Sequence, residues 1–313
     1  MDTELKISVL GANPSWQKTM FFHDLRMGEV NRAREENSYP SGKGINFCRA
    51  LRYSGLADFQ IFQFAGGNNG KLLCEALDAD GFEHHTITTE KETRNCITCL
   101  DRDGNMTELI GASHPVSKNE IDQMLTALKT YLPGSGILAV TGSLPDGTSC
   151  DLYADAVKLA AECDIPVLID AVAGIEDMLS VPGKFILKVN QDEFIKITGE
   201  KDIIAAHRCA AKKFPGKIFA ITNGPGEATL SNGKMLYHYT LPEIKVVNPL
   251  GSGDTASAVM SALFALGETE DEVFKQALAA ASANCLTETA GMFIPEESRK
   301  LAAKIKVSTG DLL

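Results

Sequence analysis

The stretch Asn248–Leu266, NPLGSGDTASAVMSALFAL, joins a glycine-containing loop to an alanine-rich helical run. Two glycines allow the backbone of the loop to turn tightly and to approach a ligand closely. The run Gly253–Leu266 begins with its amide groups directed at whatever the loop holds, and such a helix N-terminus binds anions. A second alanine-rich run, Asp271–Glu288, follows Gly267, which is typical of the end of a helix. We therefore predict two closely packed helices, the first of which points at an anion.

Upstream of this stretch, short apolar runs alternate with longer helical patterns. The apolar runs do not alternate strictly with polar residues, as expected for a parallel sheet that is covered on both faces. The strand candidates are Lys6–Leu10, Gln60–Ala65, Ile137–Thr141, Val167–Asp170, Phe185–Val189 and Ile218–Thr222. The helix candidates between them are Gly44–Tyr53, Lys71–Asp80, Asn119–Tyr131, Ser149–Cys163 and Ile203–Phe214. This order predicts a doubly wound α/β core, with residues 1–313 as one domain.

Two segments do not fit this alternation of strand and helix candidates. Lys18–Ala33 and Arg94–Ile110 resemble paired extended segments, and the second contains a turn signal at Arg102–Asn105. We interpret them as a small β-sheet that forms a lid, over about 17–34 and 94–111, on one edge of the core. The alternative is that they are edge strands of the main sheet.

The composition limits the class of partner and the location. The net charge of −11 argues against nucleic acid as the main partner, because nucleic-acid binders carry a basic face. An anionic small molecule is compatible with it, since a few lysines and arginines can form a local basic pocket. No apolar run is long enough to span a membrane and no signal-peptide pattern opens the chain, so we expect no membrane partner. Eight scattered cysteines fit a cytoplasmic protein with free thiols.

The Gly251–Asp254 loop predicts phosphoryl-transfer chemistry. Its backbone can hold a transferring phosphoryl group while Asp254 accepts a proton from the attacking hydroxyl. In such reactions, positioning and charge stabilisation do most of the work. The alternative is that Asp254 is an ordinary acidic residue in the first turn of a helix, where it stabilises the helix dipole.

Further motifs occur in a fixed order along the chain. They are Asn13-Pro14, Lys18-Thr19, Gly28–Arg32, Ser41–Asn46 (SGKGIN), Thr93–Asn95, Thr107-Glu108, Thr141–Gly147 (TGSLPDG), Lys188–Glu193 (KVNQDE), Thr222–Gly226 (TNGPG) and the loop Gly251–Asp254. In this order they resemble the ribokinase-like carbohydrate kinases, in the phosphofructokinase B branch, and within it the 1-phosphofructokinases and tagatose-6-phosphate kinases. The resemblance covers nearly the whole chain.

The resemblance implies a role for each matching residue. It implies that Asp254 is the catalytic base and that Gly251, Ser252 and Gly253 form an anion hole. It implies a sugar-phosphate site made by Gln17, Gly42, Lys43, Asn46, Arg94 and Ser143. It implies an ATP site that includes Lys188, Thr222, Gly224, Gly226 and Asn284. Asn190 and Glu193 are implied to contact Mg²⁺ through water, so the expected cofactors are ATP and Mg²⁺.

Several of these residues have a simpler structural interpretation. Lys43 and Arg94 suit an acceptor phosphate, although each can also be a solvated surface residue. Asn190 and Glu193 have the spacing of a helix capping box, and this role is compatible with a magnesium site. Asn284 serves either an adenine slot or the packing of the last alanine-rich helix.

The chain departs from the pattern of this branch on the sugar side. Gln17 replaces an aspartate whose carboxylate accepts hydrogen bonds from sugar hydroxyls, and an amide carries no such charge. Ser41 replaces the first glycine of the substrate motif. Ile110–His114 replaces the usual continuation after Thr107-Glu108. The loop and the base are intact.

The function implied is the transfer of the γ-phosphoryl group of MgATP to a phosphorylated ketohexose, with fructose 1-phosphate as the first choice. The alternatives are a tagatose-6-phosphate kinase, a kinase for another sugar or a nucleoside, or a non-catalytic sugar-phosphate-binding protein on the same fold. Relatives often pair through their lid strands, so the resemblance also implies a homodimer.

Overall fold

The structure is a computed structural model that describes residues 5–312. The strands are β1 (Lys6–Leu10), β2 (Ser15–Phe21), β3 (Glu35–Ser41), β4 (Asp58–Gly66), β5 (His84–Thr89), β6 (Asn95–Leu100), β7 (Met106–Ile110), β8 (Ile137–Thr141), β9 (Val167–Asp170), β10 (Phe185–Asn190), β11 (Ile218–Asn223), β12 (Glu227–Ser231), β13 (Met235–Thr240) and β14 (Lys306–Asp311). The helices are α1 (Lys43–Ser54), α2 (Gly67–Ala79), α3 (Lys118–Tyr131), α4 (Asp151–Glu162), α5 (Ile175–Ser180), α6 (Gln191–Thr198), α7 (Ile203–Lys213), α8 (Ser252–Ala265), α9 (Glu270–Asn284) and α10 (Pro295–Ala302).

The larger sheet has the order β14-β13-β12-β11-β10-β9-β8-β1-β4-β5 within residues 5–312. In this sheet the neighbouring strands β11-β10-β9-β8-β1-β4-β5 all run parallel to one another. The strands β12, β13 and β14 extend the sheet beyond β11, and each runs antiparallel to its neighbour. Each of the six predicted strands lies within a strand of the parallel part. The predicted doubly wound, mostly parallel sheet is therefore confirmed.

Helices cover both faces of this sheet. Successive residues of a buried strand enter opposite cores: Ile137 and Ala139 pack with one face, and Leu138 and Val140 with the other. The first core includes α1, α8 and α9, and the second includes α3, α4 and α7. Burial on both faces explains why the strand sequences are continuously apolar.

The chain order reverses next to β1. From β1 the chain adds β4 and β5 on one side and later adds β8 to β11 on the other. At such a switch point, the loops at the carboxyl ends of the strands separate and leave a crevice in which ligands bind. Helix α1 begins at this edge in close contact with the loop after β1, because a Cβ on Gly11 would lie 2.7 Å from the Cα of Gly44.

A separate four-stranded sheet with the order β3-β2-β6-β7 lies beside this crevice. The segment Arg94–Ile110 contains β6 and β7, and the chain turns between them at residues 101–105, as predicted. The prediction for Lys18–Ala33 was wrong in part. The strand β2 ends at Phe21, and its antiparallel partner is β3, which begins only at Glu35. Most of β3 is polar and exposed, so its sequence carries no apolar strand signal.

Among the helices of residues 5–312, none is both long enough and apolar enough to cross a membrane.

Candidate active site

Asp254 lies in the first turn of α8, which the chain enters through Gly251. Gly251 has φ of 80°, and a Cβ there would lie 2.6 Å from the amide nitrogen of Gly291, so only glycine fits. Asp254 is 6 % exposed, and its Oδ2 accepts a hydrogen bond from Nδ2 of Asn46 at 2.9 Å. Burial raises the pKa of Asp254 above its ordinary value, while the charge of Lys43 acts in the opposite direction. Such a carboxylate is suited to accept a proton.

The backbone around Asp254 provides donors for an anion. The amides of Gly253 and Asp254 belong to the first turn of α8, where helix amides lack a partner within the helix. The sequence analysis placed Ser252 in the anion hole, but its amide donates to the carbonyl of Pro249 at 3.3 Å. The positive end of the helix dipole adds to the attraction for an anion at this loop.

Asp170, at the end of β9, lies beneath this loop and was missed by the sequence analysis. Its Oδ1 accepts a hydrogen bond from Nζ of Lys43 at 2.9 Å, and its Oδ2 accepts from Nζ of Lys188 at 3.2 Å and from Oγ of Ser257 at 2.6 Å. Burial by itself raises the pKa of Asp170, but Lys188 and Lys43 outweigh it and hold that pKa well below the usual range. Asp170 in turn raises the pKa of Lys43 despite burial. The only signal in the sequence was an acidic residue at the end of a buried strand.

Arg49 was also missed. It lies one turn after Asn46 on α1, and its Nη1 donates to Oδ1 of Asn46 at 3.0 Å. The Oγ of Ser41 donates to the same oxygen at 3.2 Å. The hydroxyl that distinguishes Ser41 from the expected glycine therefore bonds to Asn46, which itself bonds to Asp254.

The first cavity at the site, of about 440 Å³, lies between the small sheet and α8. It brings together most of the residues predicted to bind the sugar, namely Gln17, Gly42, Lys43, Asn46 and Arg94, with Asp254 and its loop. The Nε2 of Gln17 donates to Oγ1 of Thr98 at 2.8 Å, which fixes the amide of Gln17 against the small sheet. Glu108 and Cys96, on β7 and β6, complete the wall.

A second cavity, of about 560 Å³, is lined by Lys43 and Arg94 as well as by Ser143. The Oγ1 of Thr141 in its wall is buried and has no hydrogen-bond partner among residues 5–312, and the same holds for Nε of Arg94. Buried polar atoms without a partner in the protein are expected where a polar ligand binds. Two cations and these donors suit a phosphate group.

The third cavity, of about 690 Å³, lies on the other side of the loop. Thr222, Gly224 and Gly226 line it, as predicted for a nucleotide site, with Ser252 and Gly253 at one end. The remaining wall is mostly apolar and includes Leu241, Ile244, Leu278 and Ala281. An apolar wall beside an anion-binding loop suits a nucleoside phosphate.

Two residues predicted for the nucleotide site lie elsewhere. Asn284 is fully buried behind the loop, where its Oδ1 accepts from the amide of Gly291 at 2.8 Å and its Nδ2 donates to the carbonyl of Leu250 at 2.9 Å. Asn284 therefore holds the loop, because its polar atoms are directed away from the cavity wall. Lys188 is 5 % exposed, and its Nζ donates to the carbonyl of Gly253 at 3.1 Å.

Asn190 and Glu193 form a capping box at the start of α6. The Oδ1 of Asn190 accepts from the amide of Glu193 at 2.9 Å, and the carboxylate of Glu193 accepts from the amide of Asn190 at 3.0 Å. Glu193 also lines the second cavity, and the capping bond uses only its Oε2. The capping interpretation holds in the structure, and the remaining oxygen is of the type that a water-coordinated magnesium ion prefers.

Comparison with known proteins gives the family of the chain. The family model of the pfkB family carbohydrate kinases matches residues 14–297. A tagatose-6-phosphate kinase of Staphylococcus epidermidis is 27% identical over 308 residues, which cover 96% of this chain and 99% of that protein.

Two solved structures share the fold. Phosphofructokinase-2 of Escherichia coli, solved in complex with fructose-6-phosphate, has a TM-score of 0.85 at 20% identity and covers 96% of this chain and 99% of its own. A Thermotoga maritima protein named as a possible 1-phosphofructokinase has a TM-score of 0.83 at 20% identity, with 97% and 99% covered. These two likenesses concern the fold, and the match of the family model over residues 14–297 gives the family. The chain belongs to the pfkB family of carbohydrate kinases, which are phosphotransferases.

Proposed function

We propose that this protein transfers the γ-phosphoryl group of ATP to a hydroxyl of a phosphorylated ketohexose, with fructose 1-phosphate as the first candidate acceptor. The observation that carries the proposal is the position of Asp254. Its carboxylate lies at the first turn of α8, in the wall of a sugar-sized cavity and next to the loop that separates this cavity from the nucleotide-sized one.

Each end of the acceptor has a partner in this arrangement. Lys43, Arg94 and Ser143 bind the phosphate that the acceptor already carries, in the cavity where Thr141 and Arg94 have unpartnered donors. The sugar then extends toward Asp254 past Gln17 and Asn46. A ketohexose with a phosphate on one terminal carbon can present the hydroxyl of the other terminal carbon to the base.

In the reaction, Asp254 accepts the proton of the attacking hydroxyl as the new O–P bond forms and the bond to the bridging oxygen of ADP breaks. The amides of Gly253 and Asp254 and the dipole of α8 stabilise the charge on the transferring group. Asp170 holds Lys43 and Lys188 in place beneath this loop.

The nucleotide binds in the third cavity, with its base against the apolar wall and its phosphates at Thr222, Gly224 and Gly226. Asn190 and Glu193 would hold Mg²⁺ through water, and this ion would supply positive charge that stabilises the phosphate groups. Glu193 lines the second cavity, in which the proposed site of the acceptor phosphate also lies. The small sheet acts as a lid that excludes water, which competes with the sugar as acceptor.

Tagatose 6-phosphate is the second candidate acceptor, and the 27% identity to a tagatose-6-phosphate kinase over nearly the whole chain favours it. It is also a ketohexose with one terminal phosphate, so it uses the same arrangement of Lys43, Arg94 and Asp254.

A homodimer through the small sheet is part of the proposal. The edge strand β7 exposes Leu109 and Ile110, at 53 % and 65 %, and both edges of this sheet are unpaired among residues 5–312. Unpaired strand edges with apolar side chains favour pairing with another chain. Analytical ultracentrifugation of the protein and of the Leu109→Lys variant measures this: a dimer that the variant weakens supports it, and a wild-type monomer contradicts it.

The test of the function is ADP release from MgATP with fructose 1-phosphate, fructose 6-phosphate, tagatose 6-phosphate and free ketohexoses as acceptors. Turnover with a phosphorylated ketohexose is expected, and Asp254→Asn should lower kcat about 10²- to 10⁴-fold while acceptor and nucleotide still bind. Near-normal turnover in Asp254→Asn would exclude the proposed base. Ligand binding without turnover in the wild-type protein would instead indicate a sugar-phosphate-binding protein.

A further inference from the structure

Arg49 lies between three parts of the molecule that meet behind Asp254. Its Nη1 donates to Oδ1 of Asn46 at 3.0 Å and to the carbonyl of Ala290 at 2.9 Å, and its Nη2 donates to the carbonyl of Pro40 at 2.8 Å. Its guanidinium also lies 5.7 Å from the ring centroid of Tyr39. None of the carboxylates in residues 5–312 forms a salt bridge with it. The charge of this arginine is therefore directed at three neutral oxygen atoms.

The bond to Asn46 decides which way the amide of Asn46 faces. With Oδ1 toward Arg49 and Ser41, both of which donate, Nδ2 is directed at the carboxylate of Asp254. The flipped amide would direct its NH₂ at a guanidinium and its oxygen at a carboxylate, and both contacts would be repulsive. Among the two donors to Oδ1, the charged one forms the stronger bond.

We propose that Arg49 is a positioning residue for the catalytic base: it fixes the amide of Asn46 so that Nδ2 holds Oδ2 of Asp254 and Oδ1 of Asp254 remains directed at the acceptor hydroxyl. This inference rests on the proposed function, because it assigns Arg49 to the same base. Arg49 is not among the residues that line the first cavity, and its bonded path to Asp254 runs through Asn46. Its bond to the carbonyl of Ala290, which lies beside Gly251, offers a second path to the loop, and the double variant described below separates the two.

The direction of the effect on Asp254 follows from the neighbouring groups. Lys43 on α1, Lys188 on β10 and the buried Asp170 on β9 are the charged groups that influence Asp254. The hydrogen bond from Asn46 stabilises the charged form of Asp254 and so lowers its pKa. Loss of Arg49 removes the charged donor to Oδ1 of Asn46 and leaves only the bond from Ser41. The bond from Nδ2 of Asn46 to Asp254 should then be held less firmly, so the pKa of Asp254 should rise. The acid limb of the kcat profile should then move to higher pH.

The first measurement is kcat against pH for the wild-type protein, Arg49→Met, Asn46→Leu and the double variant. We expect Arg49→Met to lower kcat about 10- to 100-fold with little change in KM, because the base is misplaced while the acceptor site is intact. We expect its acid limb to move up by roughly one pH unit. Arg52→Met is the matched control, since Arg52 lies on the same helix but donates to the carbonyls of Asp80 and Gly81, away from the site.

The double variant distinguishes positioning from a general loss of structure. If Arg49 acts through Asn46, then Arg49→Met should change kcat and the acid limb little in the Asn46→Leu background. The loss of stability through the carbonyls of Pro40 and Ala290 should remain in that background. Equal losses of kcat in both backgrounds, or a kcat profile with an unmoved acid limb, would overturn the proposal. If Arg49→Met does not fold, Arg49→Lys replaces it, and it should give an intermediate shift in the same direction.

The pKa of Asp254 can also be followed without turnover, by its carboxyl infrared band in the ligand-free protein, assigned with Asp254→Asn. A higher pKa of Asp254 in Arg49→Met supports the positioning role of Arg49 even if none of the acceptors tested is phosphorylated. An unchanged pKa of Asp254 contradicts this role even if the wild-type protein is an active kinase. The positioning role and the kinase assignment therefore fail in different experiments.

Discussion

The Nζ of Lys188 lies 3.2 Å from Oδ2 of Asp170, and the two side chains are only 6 % and 4 % exposed. Lys43 and Ser257 bond to the same carboxylate, so one buried anion joins the start of α1, the ends of β9 and β10, and the second turn of α8. This arrangement connects the elements that carry the proposed phosphate, nucleotide and base functions.

Replacement of Asp170 by a neutral residue should destabilise the protein and disturb the Gly251–Asp254 loop. Asp170→Asn leaves Lys188 buried without a counter-charge, so the free energy of unfolding should fall by about 3 kcal/mol or more. Urea unfolding measures this. Asp155→Asn is the control, because its ion pair with Lys158 has a similar distance of 2.9 Å but is exposed. An exposed pair contributes about 1 kcal/mol or less. Similar losses in both variants would contradict the role of Asp170.

Arg94 separates a phosphorylated acceptor from an unphosphorylated one. Arg94→Ala removes a charged donor to phosphate, so KM for the phosphorylated ketohexose should rise about 10- to 100-fold. For an unphosphorylated sugar, KM should not change. Initial-rate kinetics with matched acceptor pairs measure the difference. Arg102→Ala, at an exposed arginine in the turn after β6, should leave both values unchanged. Equal effects on both acceptors would place the acceptor phosphate elsewhere.

Gly251 allows the effect of a close contact to be separated from that of backbone strain. Gly251 and Gly267 both have positive φ, at 80° and 86°. A Cβ added to Gly251 would clash with the backbone of Gly291, whereas a Cβ added to Gly267 would enter open space. Each substitution by alanine should cost about 1–2 kcal/mol of stability through strain. Only Gly251→Ala should also lower kcat, because the anion-binding loop must shift. Thermal unfolding and turnover of both variants test this, and normal turnover in Gly251→Ala would contradict it.

His207 should make the stability depend on pH. It is fully buried between α7 and β12, and its ring nitrogens lie 2.7 Å from Oγ of Ser231 and 2.8 Å from Oγ1 of Thr229. Burial lowers its pKa to about 3 from an ordinary 6.5. Between these values the unfolded chain binds a proton that the folded protein does not. The free energy of unfolding should therefore fall by about 1.4 kcal/mol for each pH unit below 6.5.

The measurement is urea unfolding at pH 7.5 and pH 5.5. His207→Gln should lose this part of the pH dependence, whereas His23→Gln, at an exposed position, should retain it. An equal pH dependence in the wild-type protein and His207→Gln would show that other groups cause it.

The sequence by itself determined the parallel core and the glycine-containing loop before α8. The apolar runs of β1, β8 and β9 were predicted at their observed bounds, because strands buried on both faces need apolar residues at every position. The loop before α8 was predicted because glycines and a following helix form a local anion-binding structure.

Only the tertiary structure decided the rest, and the reason is sequence separation. The strands β3 and β14 are polar and mostly exposed, and their extended form comes from pairing with β2 and β13. Asp170 acquires its role from lysines and a serine on three other elements, and Arg49 bonds to a carbonyl 241 residues away. Such contacts leave no local pattern, since each partner alone is an ordinary polar residue. The orientation of Asn284 away from the nucleotide cavity was fixed in the same way, by the loop that packs against it.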